Sequence, residues 1–205
     1  MYEKYLMNRF CAKFHENACY HVYNRGNNKE NIFFKPGNYQ YFLKKYQDYL
    51  FKYLDTFCYS LLPNHFHLFV RVRKKTVNSK DIHDDMDRLI SEQFRCFFIA
   101  YSQAINKQES RSGSLFQKPF KRIRVESDRH STALLSYIHI NPRKHRLMDD
   151  FARYPYSSYS SLIDKRKTFL CREEVLSWFG SKDEFVRFHK DMQLAHLDDK
   201  LIIEK

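Results

Sequence analysis

The chain has 205 residues, which is enough for one domain with a substantial core and too few for two large domains. Its 36 Lys and Arg exceed its 24 Asp and Glu, and the formal net charge of +12 at pH 7 favours a polyanionic partner, nucleic acid before anionic membrane. Four Gly and five Pro are too few for a fibrous or low-complexity protein.

Targeting and cysteine patterns indicate a reducing compartment. No apolar run approaches the roughly 18 residues of a membrane-spanning helix, and the segment MYEKYLMNRFCAKF lacks the apolar block of a secretion signal. The five cysteines are odd in number and form no CxxC pair, so neither a disulfide framework nor a zinc knuckle is indicated. We expect a cytoplasmic protein with reduced cysteines and no membrane partner.

The first half of the chain predicts a strand, a helix and a hairpin. The segment CYHVYNR predicts a strand over residues 19–25, and apolar residues spaced by three and four predict a helix from Pro36. Residues 55–62 and 65–72 form two further predicted strands. The two residues between them, Pro and Asn, make a short turn, which predicts an antiparallel hairpin.

The second half predicts two helices around one strand. A polar loop at 74–81 precedes a long helix with apolar positions over 82–105, and 120–125 follow as a strand. Another helix is expected from Asp128, as N-cap, to near Pro142. Strand, helix, strand, strand, helix, strand is the split βαβ order of a ferredoxin-like α+β sandwich with its first and third strands in the centre.

The composition changes near residue 155, where Ser, Tyr and Lys become frequent. We expect an extended link there and then two short helices, the second opened by Ser181 with Glu184 completing a capping box. The predicted organisation is therefore one domain over residues 1–155, and a linker with a small helical extension over residues 156–205.

Two histidines open the strand at 65–72. Side chains alternate along a strand, so His65 and His67 point to one face and Phe66 to the other. On this spacing alone, structural histidines that hydrogen-bond on a half-exposed face are the simpler interpretation. A metal site is the alternative, because neutral imidazole is a common metal ligand.

A second motif favours the metal site. In LLSYIHINP, Tyr137 and Asn141 are four residues apart and share one face of the predicted helix. Combined with the strand, this suggests that His65, His67 and the Asn141 oxygen hold a divalent cation beside Tyr137. The cation would polarise a phosphate that Tyr137 attacks as a covalent nucleophile, leaving a reversible phosphotyrosine link. The sequence indicates no general base.

The combination of PNHFHLFV and SYIHINP resembles the HUH-type single-tyrosine transposases, and most closely the REP-associated tyrosine transposases, over roughly residues 19–160. The resemblance implies a metal-dependent single-stranded DNA endonuclease and strand-transferase that acts at hairpins through a 5′-phosphotyrosine, with Mg²⁺ or Mn²⁺ as cofactor. His65 and His67 match the two motif histidines, and Tyr137 matches the nucleophile. Asn141 stands where insertion-sequence relatives carry glutamine, whereas asparagine is usual in the REP-associated group.

The resemblance leaves the subunit arrangement and the metal open. Insertion-sequence relatives exchange the tyrosine helix between two subunits, whereas REP-associated ones resemble self-contained monomers, and we expect a monomer. Imidazole ligands suit Mn²⁺, Zn²⁺ or Ni²⁺ at least as well as Mg²⁺.

Two basic segments are candidate DNA-binding surfaces. The first, KPFKRIR, mixes cations with aromatic and apolar residues, which suits an unstacked single strand, although a solvated edge strand has the same composition. The second, RKHR, directly follows the tyrosine helix, near the expected scissile phosphate. The candidate DNA-binding residues are Lys118, Lys121, Arg122, Arg124, Arg143, Lys144 and Arg146.

The other polar residues near the motifs are expected to have structural roles. His139 projects to the opposite side of its helix from the tyrosine. No spacing recruits His21 or His145. Asn24 and Arg25 could touch DNA, but a turn asparagine is the simpler explanation for that pair.

Two other functions fit part of this pattern. A catalytically silent, domesticated host factor would bind hairpin DNA with a strong salt dependence and without chemistry. A relaxase or replication initiator would use the same chemistry. We expect such a protein to carry a helicase-like extension, and the short length of this chain makes this interpretation weaker.

Overall fold

The computed structural model describes residues 10–74 and 86–194, in which strands and helices follow the predicted order. Most of the predicted loop at 74–81, and the predicted helix positions at 82–85, lie outside these ranges. The elements are β1 (Cys19–Arg25), α1 (Pro36–Leu50), β2 (Leu54–Leu62), β3 (His65–Val72), α2 (Met86–Gln108), β4 (Lys121–Val125), α3 (Asp128–Lys144), α4 (Tyr159–Ile163), α5 (Arg172–Ser177) and α6 (Lys182–Leu194).

The four strands form one antiparallel sheet in the order β2-β3-β1-β4. The first and third strands are therefore central, and the ferredoxin-like α+β fold is confirmed. In the register between the central strands, Tyr23 lies opposite His67, and Arg25 lies opposite His65. Directly opposed residues of an antiparallel pair share a face, so these four side chains lie on the same side of the sheet.

The other face of the sheet carries the main apolar core. Phe66 of β3 packs with its ring 5.0 Å from Phe42 of α1 and 5.9 Å from Phe98 of α2. Phe66 and Phe42 are fully buried. Strand alternation directs Phe66 away from the two histidines beside it, and α1 and α2 pair over this face and bury its ring.

The histidine face is crossed by α3, which packs mainly on β2 and also contacts β3. The helix begins at Asp128, as expected, but its N-cap is Ser127 and not Asp128. Ser127 has extended backbone, and its hydroxyl accepts a hydrogen bond from the His130 amide at 3.2 Å. The helix also continues through Pro142 to Lys144, so its expected end was too early. Proline removes one helical hydrogen bond but keeps a helical φ, and tertiary packing of a buried helix offsets that loss.

The tail differs from the predicted extended link with two helices. Three helices follow residue 155, since α4 lies inside the stretch expected to be extended. Just before α4, the Leu61 amide donates to the Tyr156 carbonyl at 3.0 Å, and the Ser158 amide donates to the Tyr59 carbonyl at 2.9 Å. This segment therefore covers the outer edge of β2. One half of the predicted capping box is confirmed, as the Ser181 hydroxyl accepts from the Glu184 amide, whereas the Glu184 carboxylate accepts from Arg187.

A directed chain of hydrogen bonds joins α6 to α3 and then to β2. The Phe185 carbonyl can only accept, so His189 Nδ1 carries a proton and donates to it at 2.8 Å. His189 Nε2 then accepts from His139 Nδ1 at 2.9 Å, and His139 Nε2 lies 2.9 Å from the Ser158 hydroxyl, which also donates to the Tyr59 carbonyl at 3.1 Å. The Tyr59 amide completes the chain by donating to the Ser158 oxygen at 2.8 Å. Both imidazoles are neutral in this arrangement, and His139 has the structural contacts expected of it.

Acid is expected to weaken the fold through His189. Burial lowers its pKa to about 4 in the folded protein, against about 6.5 in an unfolded chain. Below pH 6.5 the unfolded chain binds a proton that the folded protein excludes, so this stability is complete above pH 6.5 and is lost as the pH falls toward 4. At pH 5 the free energy of unfolding should fall by about 2 kcal/mol.

Urea unfolding at neutral and at acidic pH measures this effect. The His189→Gln variant is expected to lose that part of the pH dependence, whereas His15→Gln, a change at an exposed position, should keep it. An unchanged pH dependence in His189→Gln would contradict the assignment.

Candidate active site

The two motif histidines lie at the start of β3, on the face that α3 crosses. His65 is 3% exposed and His67 is fully buried, and their ring centres are 5.2 Å apart. The simpler interpretation of the sequence placed these histidines on a half-exposed face, but in the structure both side chains are buried. Burial of two polar rings beside each other on one strand requires polar partners.

One face of α3 brings the tyrosine motif to these rings. The Tyr137 ring centre is 6.0 Å from that of His67, and the His145 ring centre is 4.6 Å from that of His65. Asn141 follows Tyr137 by one helical turn, and His145 is the C-cap residue one turn further on. Its spacing from Tyr137 predicts that Asn141 lies on the helix face that meets the histidine pair.

Hydrogen bonds orient both imidazoles. His65 Nδ1 donates to Asn64 Oδ1 at 2.6 Å, which leaves Nε2 as the nitrogen with a lone pair for a metal. His67 Nδ1 is 2.9 Å from His21 Nε2. A proton on His67 Nδ1 would likewise leave Nε2 as the nitrogen that can bind a metal. Metal-binding histidines commonly have this arrangement, in which a hydrogen bond from the other ring nitrogen fixes the tautomer. The asparagine of the PNHFH motif therefore serves to orient the first histidine.

Sequence reasoning missed two members of this site, His21 and His145. His21 contacts His67 from β1, but its position depends on the register between two strands that are distant in sequence. His145 is the residue just after α3, and its place beside His65 depends on how the end of that helix packs on β3.

The side chains present fit a divalent cation. Within residues 10–74 and 86–194, no three His, Cys, Asp or Glu side chains cluster as a metal site, so a cation here would depend on the two imidazoles and a neutral oxygen. Asn141 is 1% exposed, and its Oδ1 has no hydrogen-bond partner among those residues. A buried amide oxygen without a partner costs on the order of 1–3 kcal/mol, so this atom favours a ligand.

The basic residues of β4 divide between the two faces of the sheet. Lys121 pairs with Tyr23 and lies on the histidine face, where its Nζ is 5.7 Å from the centre of the Tyr23 ring. Arg122 pairs with Val22 and points to the opposite face. Arg124 follows Arg122 by two residues, so it shares that face, and it is exposed.

Lys121 and Arg122 are therefore expected to give opposite results when each is changed to Gln. Arg122 donates to Asp87 at 3.0 Å and to the Ala12 carbonyl at 2.6 Å, so its loss should lower the free energy of unfolding by about 1–3 kcal/mol and leave DNA binding unchanged. Loss of Lys121 should leave stability unchanged and reduce the slope of log K against log salt by about 0.7. Urea unfolding and fluorescence anisotropy with a hairpin oligonucleotide measure both. Equal effects of the two variants on binding would contradict this division.

The predicted basic residues after the tyrosine are at the exposed end of α3. Arg143, Lys144 and Arg146 are exposed, and Lys144 Nζ lies 5.3 Å from the centre of the Tyr137 ring. Lys118 is also exposed, in the segment before β4. Of these candidate DNA-binding residues, Lys144 is therefore the one whose side chain lies against the ring of Tyr137, the candidate nucleophile. A role for the others in binding DNA stays a prediction.

The sheet order and the helix across its polar face define a ferredoxin-like α+β protein whose buried polar cluster lies between β3 and α3. The chain shares this fold with a solved structure of a REP-associated tyrosine transposase bound to a REP hairpin. The TM-score is 0.57 and the identity is 14%, over 74% of this chain and 82% of that chain.

No protein-family model and no curated protein matches the chain. At 14% identity, the likeness to the solved structure shows the fold alone. Among the helices of the described ranges, none has the length and apolar character needed to cross a membrane.

Proposed function

We propose that this chain is a metal-dependent single-stranded DNA endonuclease and strand-transferase that acts at hairpin-marked sites. The observation that carries the proposal is the position of the Tyr137 ring, 6.0 Å from His67 and one helical turn from the buried Asn141 amide. A phenol, two oriented imidazoles and an amide oxygen on facing elements are the groups that a phosphotyrosine-forming nuclease requires.

His65, His67 and Asn141 are the residues that would hold the metal, through the two Nε2 atoms and Oδ1. Mg²⁺ or Mn²⁺ bound there would neutralise charge on a phosphate and orient it for in-line attack. The hydrogen bonds from Asn64 and His21 would keep the imidazole rings in the orientation that this role needs.

Tyr137 is proposed as the nucleophile. Its phenol oxygen gives up its proton and forms a bond to phosphorus, while the bond from phosphorus to the 3′ oxygen breaks and that oxygen takes up a proton. The products are a 5′ phosphotyrosine and a free 3′ hydroxyl, and one phosphate ester replaces another, so rejoining needs no ATP. The Lys144 ammonium, 5.3 Å from the ring centre, would attract a phosphate group toward this tyrosine.

The proposed partner is single-stranded or hairpin DNA. The formal net charge of +12 favours a polyanion, and the protein of similar fold was solved with a REP hairpin. Because Tyr137 lies against a histidine of its own chain, the site does not need a second subunit. This supports a monomer that uses its tyrosine in cis.

A catalytically silent hairpin-binding factor is the second candidate, favoured by the same charge and by a likeness limited to the fold. Incubation of the protein with oligonucleotides that carry the hairpins beside its own gene, with Mn²⁺ or with EDTA, separates the two. The nuclease predicts a protein–DNA adduct on a denaturing gel with Mn²⁺ only. Binding without an adduct, across several hairpins and metals, would support the silent factor instead.

A further inference from the structure

Arg25, the last residue of β1, lies directly opposite His65 in the register of the central strands. Opposed residues of an antiparallel pair have Cβ atoms about 4.5–5.5 Å apart and point to the same face. The Arg25 side chain therefore starts beside the first motif histidine, on the face that holds the candidate active site. Nothing in the spacing of the sequence indicates this placement.

The backbone around Arg25 is fixed on several sides. Its carbonyl accepts from the Gln117 amide at 2.9 Å, and the next amide, of Gly26, donates to the Asn64 carbonyl at 2.8 Å. A Cβ on Gly26 would lie 2.1 Å from the Glu30 carbonyl oxygen, so only glycine fits this turn. A fixed backbone holds the root of the side chain in one place, as a binding group requires.

The Arg25 guanidinium has no partner within the part of the chain that the structure describes, although the residue is half-buried. Every other half-buried arginine there donates to a carboxylate or to backbone carbonyls: Arg71, Arg73, Arg111, Arg122 and Arg172. A guanidinium that is partly removed from water without an anion costs free energy. An anion that is not part of the described fold would offset that cost.

We infer that Arg25 binds a backbone phosphate of single-stranded DNA next to the His65 and His67 pair. The planar guanidinium fork matches two phosphate oxygens, and its permanent charge offsets that of the phosphate. The inference rests on the proposed function in one respect, the identity of the anion as DNA. It adds a residue that touches the substrate at the site of attack, from β1, on the same face of the sheet as the tyrosine helix.

Salt dependence of binding tests the inference without any cleavage. Wild type, Arg25→Gln and Arg95→Gln are titrated against a hairpin oligonucleotide in EDTA by fluorescence anisotropy at several salt concentrations. Arg95 is the control, since it is an exposed arginine of α2, on the other face of the sheet, where it pairs with Glu92. Arg25→Gln is expected to reduce the salt slope by about 0.7, the contribution of one phosphate, while Arg95→Gln keeps the wild-type slope.

A scan with single methylphosphonate linkages then locates the phosphate. One neutral linkage should weaken binding by wild type several-fold and have no further effect on Arg25→Gln. Arg25→Lys should recover the slope but only part of the affinity, because it keeps the charge and loses the fork. Since no described contact of the fold uses the Arg25 guanidinium, the urea midpoint of Arg25→Gln should agree with that of wild type.

A wild-type salt slope in Arg25→Gln, or the same methylphosphonate profile in both proteins, would overturn the inference. These outcomes are distinct from failure of the proposed nuclease. A wild-type protein that binds hairpins and forms no adduct would refute the nuclease, while the lost slope in Arg25→Gln would still establish the phosphate contact.

Discussion

Replacement of Tyr137 by Phe is expected to reduce formation of the covalent protein–DNA adduct by at least about a thousandfold, because the change removes the only atom proposed to attack phosphorus. The aromatic ring would still pack beside His67 and under Lys144, so hairpin binding should stay within about twofold of wild type. Denaturing electrophoresis of labelled hairpin DNA with Mn²⁺ measures the adduct, and anisotropy measures binding.

Tyr154→Phe is the matched control for this experiment. It removes the same hydroxyl group from another buried tyrosine, one that donates to the Leu61 carbonyl at 2.8 Å. The control should cost about 1 kcal/mol in stability and keep adduct formation. Adduct formation at the wild-type level in Tyr137→Phe would rule out this residue as the nucleophile.

Replacement of His67 by Leu is expected to abolish both Mn²⁺ binding and adduct formation. The change removes one of two imidazole ligands with little change in volume, and a cation held by the remaining imidazole and one amide oxygen would bind far more weakly. Mn²⁺ affinity can be measured without DNA, by electron paramagnetic resonance of the free ion, so the readout is independent of activity.

His21→Phe provides an intermediate step in the same series. His21 contacts His67 Nδ1 and not the proposed metal position, so its loss should weaken Mn²⁺ binding by about 10- to 100-fold. His15→Gln, at an exposed position, should have no effect. Equal Mn²⁺ affinity in wild type and His67→Leu would contradict the assigned metal site.

The fold and the main motif were predictable because their signals are local. The strands predicted over residues 19–25 and 65–72 have the same bounds in the structure, and the helix predicted from Pro36 begins at that residue. The pairing of Tyr137 with Asn141 needed only the helical period. Ferredoxin-like topology then placed the histidine strand in the centre of the sheet.

The parts that sequence could not provide depend on register and on tertiary contacts. Lys121 and Arg122 look equivalent in a basic segment, but alternation in β4 sends one toward the histidines and the other to an ion pair with Asp87. His21 and Arg25 join the candidate site only because β1 lies beside β3. No periodicity in a single segment reports which residues of a neighbouring strand will be opposite.

The stretch after residue 155 shows how tertiary packing overrides composition. Its serines and tyrosines are typical of a polar link, but an edge strand leaves backbone groups without partners, and residues 156–158 supply them along β2. Helix α4 then begins at Tyr159, whose side chain is buried. Composition alone does not show that such a segment is needed at a sheet edge.

The central claim, that Tyr137 receives the DNA, is tested most directly by finding the amino acid that carries the nucleotide. The adduct formed with Mn²⁺ would be digested with nuclease and trypsin and analysed by tandem mass spectrometry. Trypsin should release residues 130–143 as one peptide, in which Tyr137 is the only tyrosine. We predict a nucleotide phosphate on Tyr137 in that peptide; an adduct whose nucleotide is on any other residue would contradict the account.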